Sequence, residues 1–160
     1  MKKLIFIALV ALSIFAFQAA LSQTANQSVT LEVQAVNKIS ISGPVSLLIN
    51  DAIPGNDPLP VSNALTSYNI THNGSSAGKI TASINSALPA GIKLELTLAS
   101  ALGTSAGKQD ISNATAAVDV VTGVGLGKAS SEAITYDFSA ALTAGTLAST
   151  VKTVTFTVTN

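Results

Sequence analysis

The sequence has no cysteine, no tryptophan and no arginine, and it holds a single histidine. Without cysteine the chain can form neither a disulfide nor a thiolate metal site, and cysteine-based catalysis is excluded. Without arginine it lacks the side chain that grips phosphates and carboxylates through two parallel hydrogen bonds. All lysines but Lys2 and Lys3 are scattered along the chain. We therefore expect no nucleic-acid partner, because binding a phosphate backbone requires clustered positive charge.

Aromatic and charged residues are also scarce, at 4% and 10% of the chain. So few rings make a stacking platform for bases or sugars hard to build. Glu32, Glu95, Asp119 and Asp137 fall at outward-facing positions between apolar neighbours, as solvated surface charges do. No carboxylate pair for glycoside hydrolysis can be assigned among them. We predict no catalytic, cofactor-binding or metal-ligating residue and no cofactor, and we expect that the protein is not an enzyme.

The N-terminus has the pattern of a secretory signal peptide. Lys2 and Lys3 precede an unbroken apolar run over residues 4–17, and a small-x-small site follows at Ala20-Leu21-Ser22. The run is shorter than the ~20 residues of a membrane-spanning helix, although an uncleaved anchor is the alternative. We predict that residues 1–22 are a cleaved signal peptide and that residues 23–160 remain as a single domain without a membrane span. The expected location is extracellular or on the cell surface, with the periplasm as an alternative.

The rest of the sequence alternates between apolar and polar residues, which is the period of a half-buried β-strand. The clearest cases are "SVTLEVQAV" (28–36) and "IKLELTLA" (92–99), and Gly, Pro, Asn and Ser clusters separate the segments. Two Ala-rich stretches, "SALPAG" and "SAALTAGTLAST", could each form a helical turn. The pattern predicts an all-β fold, an antiparallel immunoglobulin-like β-sandwich of about seven to nine strands of the Greek-key type. The further predicted strands are residues 39–41, 45–49, 68–71, 79–85, 116–121 and 134–138.

The chain ends on "VKTVTFTVTN", the most regular of these alternations. Val154, Phe156 and Val158 lie on one face, and a ladder of threonines lies on the other. We predict that this strand pairs inside its own domain, with "SVTLEVQAV" as a regular candidate partner. The alternative is pairing with a neighbouring molecule, because an exposed edge is a template for strand addition. A weaker hypothesis is that the threonine ladder binds ice, although threonine is favoured on any exposed strand face.

Three short motifs contain residue types that can form binding sites. "TGVGLGK" (122–128) departs from a phosphate-binding loop, because Thr122 stands where the first Gly is needed and Ala129 where Ser or Thr should hold magnesium. We interpret its glycines as a strand bending into a turn. His72 has only Asn, Thr and Ser near it in sequence, and we predict an exposed loop histidine. The Asn50–Asp57 loop, with its Asp and Asn oxygens, could bind calcium or simply be a turn.

Four segments carry a family resemblance: "LPAGIKLELTLA", "VVTGVG", "ITYDFSA" and "TVTFTVT". They resemble the second half of small secreted bacterial proteins of unassigned function, which are similar in outline to fimbrial and spore-coat-U-like sandwiches. The resemblance implies an immunoglobulin-like extracellular fold and a structural subunit of surface appendages. It carries no catalytic residue over. The chain departs from fimbrial subunits in lacking their cysteine pair and any long donor segment before its first predicted strand.

Two hypotheses for function follow. The first is a secreted structural or interaction protein, a cell-surface or fimbria-like appendage subunit that self-associates through sheet edges. The second is an extracellular binding or adhesion module that recognises a surface glycan or protein through loops at the sandwich ends, where such folds place recognition. A discrete monomer would favour the module, and large ordered species would favour the subunit.

Overall fold

A computed structural model describes residues 23–160, so the predicted signal peptide lies outside the described residues. The chain divides into two units between Val33 and Gln34. In the first unit, residues 23–33 form no strand and are exposed, with Val29 at 69% and Leu31 and Val33 at 87% of full exposure. The prediction of a half-buried strand over 28–36 is therefore wrong. Alternation supplies an apolar face, but a strand also needs a neighbour for its backbone, and no described strand pairs with this segment.

The second unit, from Gln34 onward, contains two antiparallel sheets. The strands are β1 (Asn37–Ile41), β2 (Val61–His72), β3 (Gly78–Ile84), β4 (Ile92–Leu98), β5 (Thr104–Ser105), β6 (Gln109–Asp110), β7 (Val118–Val124), β8 (Gly127–Ala140) and β9 (Val154–Thr159). The five-stranded sheet has the order β1-β2-β8-β4-β6, and the four-stranded sheet has the order β5-β7-β3-β9. The all-β prediction is confirmed, since the one helical element among residues 23–160 is the 3₁₀ turn Leu142–Ala144, inside the second Ala-rich stretch.

Side chains from both sheets form one hydrophobic core. Strand β4 shows how the sequence builds it. Ile92 and the leucines Leu94, Leu96 and Leu98 point inward and are buried, while Lys93, between Ile92 and Leu94, is exposed. Each such leucine contributes about 1.5–3 kcal/mol through removal of its apolar surface from water. A chain with no cysteine depends on this burial and on its sheet hydrogen bonds for stability. The other fully buried large side chains include Tyr68, Ile80, Ile111, Val120, Val121, Val124 and Ile134.

Two parts of the strand prediction need correction. Residues 45–49 alternate as predicted, and Val45 and Leu47 pack on the core, but the segment joins neither sheet. Strands β2 and β8 begin at Val61 and Gly127, well before the predicted residues 68 and 134. The early half of β2 does not alternate regularly because its register on β8 shifts between Asn63 and Thr66, so that Leu65 faces solvent and Thr66 is buried.

We predict that Leu96→Ala lowers the free energy of unfolding by about 2–5 kcal/mol, because it removes a fully buried side chain and leaves a cavity. Leu65→Ala is the matched control. That leucine is 91% exposed, so its loss should change stability by no more than about 0.5 kcal/mol. Urea unfolding of residues 23–160 followed by circular dichroism measures both, and equal effects would contradict the described core.

Candidate functional site

Four strands form the edges of the two sheets, and three of them are protected against pairing with another chain. β5 and β6 are two residues long. β1 carries the charged side chain Lys38 and is soon followed by Gly43 and Pro44. Short strands, lysine and proline are the ordinary means by which proteins prevent strand addition at an edge.

The fourth edge, β9, has none of these protections. Its six residues, VTFTVT, contain no charge, no proline and no glycine. Its antiparallel register on β3 is continuous from Ile84↔Val154 to Lys79↔Thr159, with no bulge. The predicted final strand is thus confirmed, and its partner lies in its own domain. That partner is β3 and not "SVTLEVQAV", which forms no strand.

One side of the β9 backbone faces away from β3. The Asn85 N–H donates to the Thr153 carbonyl oxygen at 3.0 Å, which fixes the phase of the ladder. Because hydrogen-bonded pairs alternate along an antiparallel ladder, Thr155, Thr157 and Thr159 bond to β3. The N–H and C=O groups of Val154, Phe156 and Val158 therefore point outward, and no described strand pairs with them.

The same three residues form the inner face of the strand. Val154, Phe156 and Val158 pack against the core but are only half-buried. Thr155 and Thr157 on the opposite face are exposed, as the alternation predicts. The β9 edge, defined as residues 154–158, thus combines unpaired backbone groups with incompletely covered apolar side chains. Such an edge can accept one further strand.

Close packing positions the C-terminal end of β9. A Cβ built on Gly78 would lie 2.6 Å from the Thr159 carbonyl oxygen and 2.9 Å from Cε1 of His72, so only glycine fits there. Asn37 of β1 donates from Nδ2 to Asn160 Oδ1 at 2.8 Å, which links the end of the chain to the other sheet.

His72 is not the exposed loop residue that we predicted. It ends β2, is 1% exposed, and lies between Asn37 Oδ1 at 2.7 Å from Nδ1 and the Ser76 carbonyl oxygen at 3.2 Å from Nε2. The prediction failed because the polar neighbours in "YNITHNGSS" do not reveal that β2 continues as far as residue 72. Both ring nitrogens are engaged in structural contacts, which gives His72 a role in holding the strand ends together.

Two acidic residues on the outer face of the larger sheet, Glu95 and Asp137, are paired with lysines. Lys108 Nζ lies 2.8 Å from Asp137 and 3.8 Å from Glu95, and Lys93 Nζ lies 2.6 Å from Glu95. Hydrogen bonding to Lys108 lowers the pKa of Asp137, and the Ser112 hydroxyl lowers the pKa of Asp110. A carboxyl group with a lowered pKa stays ionised, so it is suited to a surface ion pair and poorly suited to donate a proton as a general acid. Period-two alternation places these residues outward but does not show that Lys108 bridges two strands.

The other sequence motifs have local structural contacts. In the Asn50–Asp57 loop, Asp51 Oδ1 accepts from Ala52 N at 2.8 Å and Asp57 Oδ1 accepts from Leu142 N at 2.9 Å. These bonds turn the two carboxylates to different backbone partners, and calcium binding stays a hypothesis. The glycines of "TGVGLGK" end β7 and begin β8, with Gly123 at φ 64°, as a strand bending into a turn requires.

Within residues 23–160 there is no group of three or more His, Asp or Glu side chains arranged to hold a metal ion. The same residues include no helix with the length and apolar character needed to cross a membrane. Comparisons with protein families, with curated proteins and with solved structures find no match to this chain. The resemblance to fimbrial and spore-coat-U-like proteins therefore stays a hypothesis.

We predict that Gly78→Ala destabilises the domain by at least about 1 kcal/mol, because the new methyl group would collide with the Thr159 backbone and displace the end of β9. Gly43→Ala is the control, since a Cβ there meets nothing within 4 Å and should leave stability unchanged or slightly raised. Thermal unfolding by calorimetry compares the two variants. A Gly78→Ala protein as stable as Gly43→Ala would contradict the described contact.

We predict that Asp110→Asn flattens the loss of stability in acid. The folded-state pKa of Asp110 is below its ordinary value of 3.8, so its contribution to stability is present above that value and is lost as pH falls through the lower, folded-state pKa. Denaturant unfolding between pH 5 and pH 2.5 (roughly the window over which acidic side chains protonate) tests this. Asp119→Asn, whose carboxylate pairs with Lys79 on the other sheet, is the control. Identical pH curves for Asp110→Asn and the unaltered chain would refute the prediction.

Proposed function

We propose that this protein is a secreted, non-catalytic structural or interaction protein that assembles through a sheet edge, as a subunit of a cell-surface or fimbria-like appendage. The observation that carries the proposal is the contrast between edges. Three are short or charged, whereas β9 is long, regular and uncharged. Proteins that stay monomeric normally protect such an edge strand. An unprotected edge strand therefore indicates that it pairs with a strand of another chain.

The fold proposed for this subunit is an immunoglobulin-like β-sandwich of the Greek-key type. Its support is the single core to which both sheets contribute, and the order β2-β8-β4, in which a late strand lies between two early ones. Strands β3 and β9, neighbours in the smaller sheet, are likewise far apart in sequence. Such long connections between neighbouring strands are typical of Greek-key folds.

Secretion is proposed from the sequence of residues 1–22, with its two lysines, apolar run and small-residue cleavage site. A non-catalytic role is favoured because Glu95 and Asp137 on the larger sheet are held in ion pairs and both nitrogens of the single histidine are engaged in structural contacts. The β9 edge, in contrast, offers backbone hydrogen-bonding groups and apolar side chains, and these are the two kinds of interaction that hold an added strand.

The proposal predicts that residues 23–160 associate in a concentration-dependent way and that Thr155→Lys/Thr157→Lys weakens this association. Both threonines are exposed, so the lysines should leave the domain folded while they protect the edge as lysine does elsewhere. Sedimentation velocity from micromolar to millimolar protein measures association, and circular dichroism checks the fold. An unaltered chain that is monomeric throughout would contradict the proposal and favour the alternative binding module, with recognition by its loops.

A further inference from the structure

We propose that the partner of the β9 edge is β9 of a second copy of this chain, paired antiparallel about a two-fold axis at Phe156. This inference rests on the proposed function and names its partner and register. The first observation is in the sequence. Residues 153–159 read TVTFTVT, which is the same in both directions from Phe156. A two-fold interface must be complementary to itself, and an antiparallel strand pair with a palindromic sequence meets that requirement at every position.

The backbone is in the correct phase for this pairing. With Phe156 opposite Phe156, Val154 falls opposite Val158 of the second copy. These are the residues whose N–H and C=O groups point away from β3. Each would exchange both of its hydrogen bonds with its counterpart, so that no outward-facing backbone group of the edge stays unpaired. A shift of one residue would instead bring inward-bonded threonines opposite outward-bonded residues and lose the ladder.

The side chains are in phase as well. Residues of a hydrogen-bonded pair project from the same face of a sheet, so the half-buried Val154, Phe156 and Val158 of the two copies would lie side by side. The two copies would thus extend each other's apolar inner face. On the outer face Thr155 would lie opposite Thr157, and paired threonines are a favourable cross-strand combination.

Among the described residues of β9, its neighbour β3 and the segment just before β9, each lysine has a partner inside the domain. β9 itself is uncharged. Lys152, just before it, turns back to bond Ser86 Oγ at 2.8 Å and the Ala87 carbonyl oxygen at 3.1 Å. Lys79, on the neighbouring strand β3, is paired with Asp119 at 2.8 Å. Lys152 and Lys79 therefore both have partners within the domain.

A pair of charge variants tests the partner. In Thr155→Lys/Thr157→Lys, each new lysine would face a lysine of the second copy, and the dissociation constant should rise at least about tenfold. In Thr155→Lys/Thr157→Glu, each lysine would face a glutamate, so association should equal or exceed that of the unaltered chain. Both variants change the same two exposed positions. Sedimentation equilibrium of residues 23–160 measures the constants.

Disulfide cross-linking tests the register. Because the chain has no native cysteine, only the introduced cysteines can form a disulfide. Positions 155 and 157 would form a non-hydrogen-bonded pair with Cα atoms ~4.5 Å apart, within the ~4.4–6.8 Å range of a disulfide. Oxidation of an equal mixture of Thr155→Cys and Thr157→Cys chains should give covalent heterodimers. Thr155→Cys alone should give few, because two copies of position 155 would lie beyond ~7 Å.

The outcomes separate this inference from the proposed function. Association that both charge variants weaken equally, or heterodimers no more abundant than Thr155→Cys homodimers, would overturn the self-pairing and leave strand addition at the β9 edge standing. Association that the double lysine variant preserves would overturn both the self-pairing and the use of the β9 edge, because lysines at positions 155 and 157 protect that edge. An unaltered chain that never associates would refute both proposals.

Discussion

The pairing of β3 with β9 is the interaction on which the smaller sheet and its open edge depend. It places a strand from the end of the chain beside one from the middle, and it brings Val154, Phe156 and Val158 against the core. It also consumes only half of the β9 backbone groups. Gly78 permits the close approach, and Asn37, His72 and Asn160 link the strand ends of the two sheets. The pairing of β3 with β9 thus both stabilises the domain and leaves the outer backbone groups of β9 free to pair with another strand.

The unprotected β9 edge is significant because the other three edge strands are protected against pairing. A sheet protein without disulfides must keep its backbone groups from pairing with other chains, and short strands and a lysine do so at β5, β6 and β1. β9 carries the most regular alternation of the four, and it has neither the shortness of β5 and β6 nor the charge of β1. Its sequence is ordinary for an internal strand and unusual for an edge strand. For this reason we propose that β9 functions by pairing with a strand from another molecule.

The sequence predicted the all-β class, the inward faces of β4 and β9 and the turn at "TGVGLGK", because each depends on local alternation or on glycine. It did not predict the partner of β9, since pairing depends on contacts between residues 70 to 80 positions apart, from Ile84 with Val154 to Lys79 with Thr159. For the same reason it placed a strand over residues 28–36 and left His72 in a loop. The β9 edge was predicted as a strand but could not be recognised as an edge until the sheet order was known.

The most direct test of this account is amide hydrogen exchange along β9 of residues 23–160, followed by NMR at low and high protein concentration. In dilute protein, the amides of Thr155 and Thr157 should be protected by β3, whereas those of Val154, Phe156 and Val158 should exchange rapidly. At high concentration the three outward-facing amides should gain protection together. Equal protection of all five amides at the lowest concentration would contradict the account, because β9 would then be covered within its own molecule.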